Sequence, residues 1–191
     1  MLHISFLRGL NVPGRSVKMD HLRGLFTDMG FTGVRSYIQS GNVFFESDET
    51  DQDVLARRIR TRLSERLGYD VAVCLRTVPA LEAVVALDPF QAVTLADDLR
   101  FCVVFTTAPV PDDLDLPLVS PKGDMEIVGV SDHEAFVVWH LIGGRAPAAK
   151  GFQERILGRD ATTRYFHTVV KILAAARWTS PACTDGVDDR G

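Results

Sequence analysis

The feature that most constrains this chain is the order of its hydrophobic patterns over residues 2–76, which alternates between strand spacing and helix spacing. Six segments carry these patterns: a strand at 2–7, a helix at 19–29, strands at 34–38 and 43–46, a helix at 55–67 and a strand at 71–75. Gly30 and Gly68 stand where the helices should end, and Thr50 with Asp53 resembles a capping box before the second helix. The resulting β-α-β-β-α-β order predicts a ferredoxin-like fold.

The second half of the chain repeats this order less regularly. Its segments are a strand at 101–105, a Pro-rich connection at 106–123, hairpin strands at 125–130 and 135–140, a helical stretch at 150–157, and a last helix capped by Thr162 or Thr163. We therefore predict an α+β protein of duplicated ferredoxin-like units with mixed or antiparallel sheets. The first unit is predicted to span 1–90 and the second, with its C-terminal helices, 91–178, while 179–191 form a flexible tail.

The composition is that of a soluble globular protein. With 191 residues, of which 46% are hydrophobic, the chain can bury a large core without a metal or disulfide staple. Cys74, Cys102 and Cys183 form no Cys-x-x-Cys pair, and the first two lie in apolar runs, which favours buried, inert thiols. The N-terminus has no signal-peptide pattern, and the longest apolar stretch, 135–139, is too short to cross a membrane. We therefore expect a cytoplasmic protein without membrane association, metal or cofactor.

Charge is distributed unequally along the chain. Residues 1–76 carry 11 Lys and Arg against 9 Asp and Glu, whereas residues 77–191 carry 10 against 16. The overall net charge of −4 argues against a dedicated polyanion binder. A small anionic partner should therefore prefer the first part of the chain.

The predicted topology brings two polar loops together. In the ferredoxin-like order the first and third strands are antiparallel neighbours, so the end of the first lies beside the start of the third. Nine residues on or near these loops are candidates for ligand binding: Arg8, Gly9, Asn11, Lys18, Tyr37, Gln39, Ser40, Gly41 and Asn42. Arg164 and Lys171 are seven residues apart near the last predicted helix, where they would share a face and could complete the site.

These residue types suit a small anionic or polar ligand. The guanidinium of Arg8 and the ammonium of Lys18 would hold an anion, and the amides of Asn11, Gln39 and Asn42 would orient it. Gly9 and Gly41 would let the backbone approach the ligand. The alternative is that the glycines serve turns, that Asn42 satisfies backbone groups, and that the cations are merely solvated.

Two other functions are weighed against ligand binding. Five arginines between Arg57 and Arg66 lie on one helix and could follow nucleic-acid phosphates, although a solvated helix face explains this acid-interspersed stripe better. An exposed sheet edge could instead make the chain a protein-interaction or dimerisation module. The turn at 132–134, Asp-His-Glu, has no metal-ligand spacing, and no motif assigns a catalytic residue, so whether the chain is an enzyme is left open.

Several segments resemble one bacterial family. Arg8-Gly9-Leu10-Asn11-Val12, Val17-Lys18-Met19 and Tyr37-Ile38-Gln39-Ser40-Gly41-Asn42-Val43-Phe44-Phe45 are similar to the opening signature of the family called domain of unknown function 1697, and 163–173 resembles its closing pattern. Pro13 and Tyr165-Phe166 depart from that pattern, which usually has Gly and Asn-Trp there. The resemblance implies a small cytosolic bacterial protein with duplicated ferredoxin-like halves, and it implies no particular activity.

Overall fold

The structure is a computed structural model that describes residues 1–10, 12, 14–94, 96–147 and 151–178. Over these residues the chain is an α+β protein with five helices and nine strands in two antiparallel sheets. The first half contains β1 (Leu2–Arg8), α1 (Met19–Asp28), β2 (Thr32–Tyr37), β3 (Asn42–Glu46), α2 (Gln52–Leu67), β4 (Ala72–Thr77) and α3 (Val78–Ala86). The α+β class is therefore confirmed.

The first sheet has the strand order β2-β3-β1-β4. The central strand β1 pairs with β3 through Phe6 and Asn42, and with β4 through Arg8 and Ala72. The predicted element order of this half is therefore present, and the end of β1 lies beside the start of β3. Gly68 ends α2 in the left-handed conformation, with φ of 77°.

The second half contains β5 (Leu99–Phe105), β6 (Leu118–Val119), β7 (Met125–Val130), β8 (Glu134–His140), α4 (Phe152–Leu157), β9 (Thr162–Tyr165) and α5 (Phe166–Arg177). Its sheet order is β6-β7-β8-β5-β9. No helix joins β5 to β7 in the described residues 106–124, so the second half lacks the first helix of the β-α-β-β-α-β order. This segment carries four prolines, which lack the N–H donor that a helix interior needs.

Two helix starts differ from the sequence-based prediction. The N-cap of α2 is Asp51, whose side chain accepts hydrogen bonds from the N–H groups of Asp53 and Val54, and not Thr50. Thr162 and Thr163 do not cap the last helix, because they pair with Phe105 and Val104 of β5 as part of β9. The helical stretch predicted at 150–157 begins at residue 152, and Lys150, like the predicted tail 179–191, lies outside the described residues.

The core joins the two halves. Side chains from one face of each sheet meet in a shared cluster, where the rings of Phe6 and Phe105 stack with centroids 4.0 Å apart. Helices α3 and α5 close this cluster, and α1 and α2 cover the other face of the first sheet. Cys74 and Cys102 are buried as predicted, and burial raises the pKa of their thiols to about 11 and about 12, so both remain protonated. Cys183 lies outside the described residues.

Two further properties are relevant to function. Among the helices that the structure describes, none is long and apolar enough to cross a membrane. The described ranges also contain no group of three or more His, Cys, Asp or Glu side chains that could hold a metal ion.

Candidate functional site

Arg164 lies at the centre of the predicted junction between β1 and β3. Its guanidinium donates from Nε to Asn42 Oδ1 at 2.8 Å, and from Nη2 to the carbonyl oxygens of Leu7 at 3.0 Å and Ser40 at 2.7 Å. From Nη1 it donates to Thr162 Oγ1 and to the Thr163 carbonyl, each at 2.9 Å. Since a guanidinium has five N–H donors, every one of them is used.

This arrangement ties β9 to the first sheet. None of the five acceptors of Arg164 is a carboxylate, so a positive charge is held only by neutral oxygens. Burial lowers the pKa of Arg164 to about 10, which still leaves it charged at neutral pH. Asn42 is fully buried and also donates from Nδ2 to Ser40 Oγ at 2.7 Å and to the Tyr37 carbonyl at 3.2 Å. The junction is thus a hydrogen-bonded lock between the two halves.

Arg8 has a different partner from the one that its position in the sequence suggests. Its guanidinium forms an ion pair with Glu154 of α4, with Nη2 and Oε1 2.6 Å apart, and donates to the carbonyls of Ala161 at 3.0 Å and Arg159. Its side chain therefore points to the connection between α4 and β9. Like Arg164, it joins the first half of the chain to the second.

The remaining candidates have varied positions. Gly9 adopts a φ of 84° just after β1, and Gly41 is buried with a φ of 74°, its carbonyl accepting from the N–H of Leu7 at 2.9 Å. Gln39 is exposed in the β2–β3 turn, and Tyr37 is partly buried at the end of β2. Asn11 and Pro13 lie outside the described residues.

The predicted pairing of Arg164 and Lys171 on one helix face is wrong. Arg164 belongs to β9, whereas Lys171 is exposed on α5. Because β9 pairs with β5, the backbone at Arg164 is extended and the helix begins only after it. A spacing of seven residues places two side chains on one face only when both residues belong to the same helix.

Lys18 lies in a basic basin at the same edge of the first sheet. We use the name basic basin for the cavity of about 730 Å³ between the start of α1 and the end of α2, lined by Gly14, Arg15, Ser16, Val17, Lys18, His21, Arg66, Leu67, Gly68 and Tyr69. The guanidinium of Arg15 stacks over the Tyr69 ring at 4.2 Å from its centroid. Lys18 is the N-cap of α1, so the N–H groups of its first turn are close to this cavity.

The electrostatics of the basic basin favour an anion. Arg15, Lys18 and Arg66 contribute three positive charges, and no described lining residue is a carboxylate. Of these three cations, Arg66 alone forms an ion pair with another described residue, Asp28, at a loose 3.6 Å on the exposed surface, where such a pair contributes little. Arg15, His21 and Arg66 are not among the residues predicted from the sequence. Arg15 and His21 lie three residues before and after Lys18, so a local signal could have found them, whereas Arg66 approaches only because α1 and α2 pack side by side.

The arginines of α2 do not form a free stripe. Arg60 binds Asp70 and Asp160, and Arg62 pairs with Glu65. Arg58 donates to the Met29 carbonyl and lies over the Phe31 ring. Of the five, Arg57 is the one without a hydrogen bond or ion pair among the described residues. The hypothesis of nucleic-acid binding remains a prediction, and its residues are mostly engaged within the chain.

Comparison with known proteins gives a family and a fold. The family model described as "Protein of unknown function (DUF1697)" matches residues 1–136. A solved structure of the conserved bacterial protein SP0830 from Streptococcus pneumoniae is similar, with a TM-score of 0.67 and 22% sequence identity. The similarity covers 92% of this chain and 98% of that protein. No curated protein matches this chain.

Proposed function

Since this chain belongs to the DUF1697 family of proteins of unknown function, we propose from its own geometry that it binds a small anionic or polar molecule at the edge of the first sheet. The ligand would occupy the basic basin, where Lys18 and Arg15 hold its negative charge and Arg66 approaches from α2. The observation that carries this proposal is the convergence of three cations without a lining carboxylate. The N–H groups at the start of α1 add further donors for an anion.

The lock around Arg164 supports this proposal indirectly. It holds the end of β1 and the start of β3 together with hydrogen bonds of 2.7–3.0 Å. The strand end from which the chain continues towards Lys18 is therefore fixed in position. In this interpretation Ser40, Gly41 and Asn42 support the site and Lys18 contacts the ligand. Arg8 contributes by anchoring the end of β1, from which this loop starts, to Glu154.

Binding can be tested by thermal unfolding in the presence of inorganic phosphate, pyrophosphate, adenosine monophosphate and citrate. A ligand at a hundred times its Kd stabilises the fold by about 2.7 kcal/mol, which corresponds to roughly 5–10 °C for a protein of this size. We expect at least one of these anions to raise the Tm and to lose tenfold or more in affinity in Lys18→Gln and Arg15→Gln.

The matched control is Arg62→Gln, which removes one positive charge from α2 at a residue that does not line the basic basin. If no anion raises the Tm, or if Arg62→Gln weakens binding as much as Lys18→Gln, the proposed site is wrong. Binding of a short oligonucleotide that depends on Arg58 and Arg62 would instead favour the nucleic-acid alternative. A concentration-dependent mass without any ligand response would favour a dimerisation module.

We also propose that the two halves share one organisation. The strands β7-β8-β5-β9 repeat the order β2-β3-β1-β4, and α4 and α5 follow β8 and β9 as α2 and α3 follow β3 and β4. This correspondence supports duplicated ferredoxin-like units over 1–90 and 91–178, with the Pro-rich segment replacing the first helix of the second unit.

The buried, protonated thiols of Cys74 and Cys102 fit a cytoplasmic protein.

A further inference from the structure

We propose that a second cavity, which we call the inter-half groove, binds a small zwitterion with an apolar side chain, such as a free apolar α-amino acid. The groove lies between α2, α3 and the turn that joins β7 to β8, and it has a volume of about 760 Å³. This volume is within the range of small-molecule sites, roughly 300–1,000 Å³. The inference is independent of the basic basin, because the two cavities share no lining residue.

One wall of the groove is apolar. Ala80, Ala83, Val84 and Leu87 line it at helical spacings of three and four, so one face of α3 continues into the residue after the helix. Leu87 is 54% exposed, which leaves an apolar surface available to a ligand. The apolar side chain of the ligand would lie against this wall.

The floor of the groove is already neutralised. Arg76 and Glu134 form a buried ion pair, and Arg76 also donates to the carbonyls of His133 at 2.7 Å and Thr106 at 3.2 Å. Glu134 Oε2 accepts from Ser131 Oγ at 2.5 Å. Arg60, on the α2 side, is bound by two carboxylates that lie outside the lining. These charges therefore require no partner from a ligand.

Asp51 also lines the groove, and as the N-cap of α2 its side chain accepts hydrogen bonds from the N–H groups of Asp53 and Val54. Three other charges in the groove have no partner of either kind. Asp53 and Arg57 lie four residues apart on α2, and Asp132 lies on the turn opposite. In the part of the chain that the structure describes, these three side chains make no hydrogen bond or ion pair. They amount to two negative charges and one positive charge, in contrast to the wholly positive lining of the basic basin.

This charge pattern selects a ligand that carries both signs. The guanidinium fork of Arg57 matches a carboxylate, and the carboxylates of Asp132 and Asp53 match an ammonium group. A simple anion would meet the unpaired carboxylates of Asp132 and Asp53 as well as the capping carboxylate of Asp51, and a simple amine would leave Arg57 unpaired. An apolar α-amino acid places its carboxylate on Arg57, shares its single ammonium group between Asp132 and Asp53, and covers the α3 wall.

The test is a titration of the whole chain with L-leucine and L-phenylalanine, followed by calorimetry and by amide chemical shifts. Two analogues of leucine serve as ligand controls: 4-methylpentanoate lacks the amine, and 3-methylbutylamine lacks the carboxylate. We expect saturable binding of the amino acids, with shifts at the groove, and at least tenfold weaker binding of both analogues. Arg57→Gln and Asp132→Asn should each weaken binding tenfold or more, and Ala83→Trp should abolish it by filling the groove.

Two variants control for general effects of charge. Arg62→Gln removes an arginine from the same helix outside the groove, and Lys18→Gln removes a cation of the basic basin; both should leave leucine affinity within twofold. Circular dichroism and the Tm confirm that each variant is folded. The proposal is overturned if neither amino acid binds saturably at millimolar concentration, if 4-methylpentanoate binds as well as leucine, or if Asp132→Asn retains full affinity.

Discussion

Replacing Gly41 with alanine should destabilise the fold strongly, whereas the same change at Gly9 should cost much less. Both glycines have left-handed backbone conformations, with φ of 74° and 84°. Alanine in that region costs about 1–2 kcal/mol, and about 0.4–1 kcal/mol is recovered because alanine restricts the unfolded chain. The conformational cost is therefore about 1 kcal/mol at either position.

The difference between the two positions comes from packing. A Cβ at Gly41 would lie 3.1 Å from Leu7 Cβ and 3.2 Å from the Leu7 carbonyl oxygen, and 3.0 Å from Leu10 Cδ1. The Leu10 methyl can move, but Leu7 is held in β1, so the overlap adds the usual cost of overpacking, about 1–3 kcal/mol. A Cβ at Gly9 meets nothing within 4 Å. We therefore expect a loss of about 2–4 kcal/mol for Gly41→Ala and about 1 kcal/mol for Gly9→Ala.

Urea denaturation followed by circular dichroism measures both losses, and a loss of 3 kcal/mol lowers the Tm by roughly 6–12 °C in a protein of this size. The comparison also separates two roles of Gly41, close packing under Leu7 and close approach of a ligand. If both variants lose the same stability, the packing argument is wrong. If Gly41→Ala keeps the stability of the wild type but loses anion binding, the glycine serves the ligand.

Three further predictions concern buried charges. Arg164→Lys keeps the positive charge but cannot donate to all five acceptors, so urea denaturation should show a loss of about 2 kcal/mol in the free energy of unfolding. The control is the exposed Arg159→Ala, which should change this free energy by no more than about 0.5 kcal/mol. If both variants lose the same stability, the lock around Arg164 is contradicted. Glu134→Gln leaves Arg76 buried without its anion and should lower the free energy of unfolding by about 3–5 kcal/mol. Replacing both Arg76 and Glu134 by apolar residues should lower it by less in the same assay. Burial lowers the pKa of His3, so the unfolded chain binds a proton more readily and stability should fall as the pH drops below about 6.5. His3→Leu should lose less stability than the wild type between pH 7.5 and 5.5, and equal losses would show that His3 does not contribute.

The first half of the fold could be predicted because its signals are local. The apolar spacing of α1 and α2 and the left-handed Gly68 follow from hydrogen bonds and side-chain contacts within a few residues of one another. The hairpin of β2 and β3, together with the crossing rules of the β-α-β-β-α-β order, then places Asn42 beside the end of β1. The family could be recognised from the same short segments.

The second half shows where local signals end. Residues 162–165, Thr-Thr-Arg-Tyr, look like a polar start of a helix, yet they form β9 because β5 offers them an unpaired edge. The Pro-rich connection removes the helix that a complete second unit would have. The absence of that helix follows from the local prolines, whereas β9 depends on partners in β5 that lie about 60 residues away along the chain, and no window of a few residues contains both strands.

The amino-acid sequence alone determined the family, the α+β class, the order of the first six elements and the residues that share one edge of the first sheet. Only the tertiary structure decided which of those side chains bind one another. Arg164 donates to acceptors more than 120 residues away, among them Asn42 Oδ1 and the Ser40 carbonyl oxygen. Lys18 and Arg15 line one cavity with Arg66 because α1 and α2 pack against each other. The reason is physical: backbone periodicity is set by near neighbours, whereas a long charged side chain takes whichever partner the folded chain brings within hydrogen-bond distance.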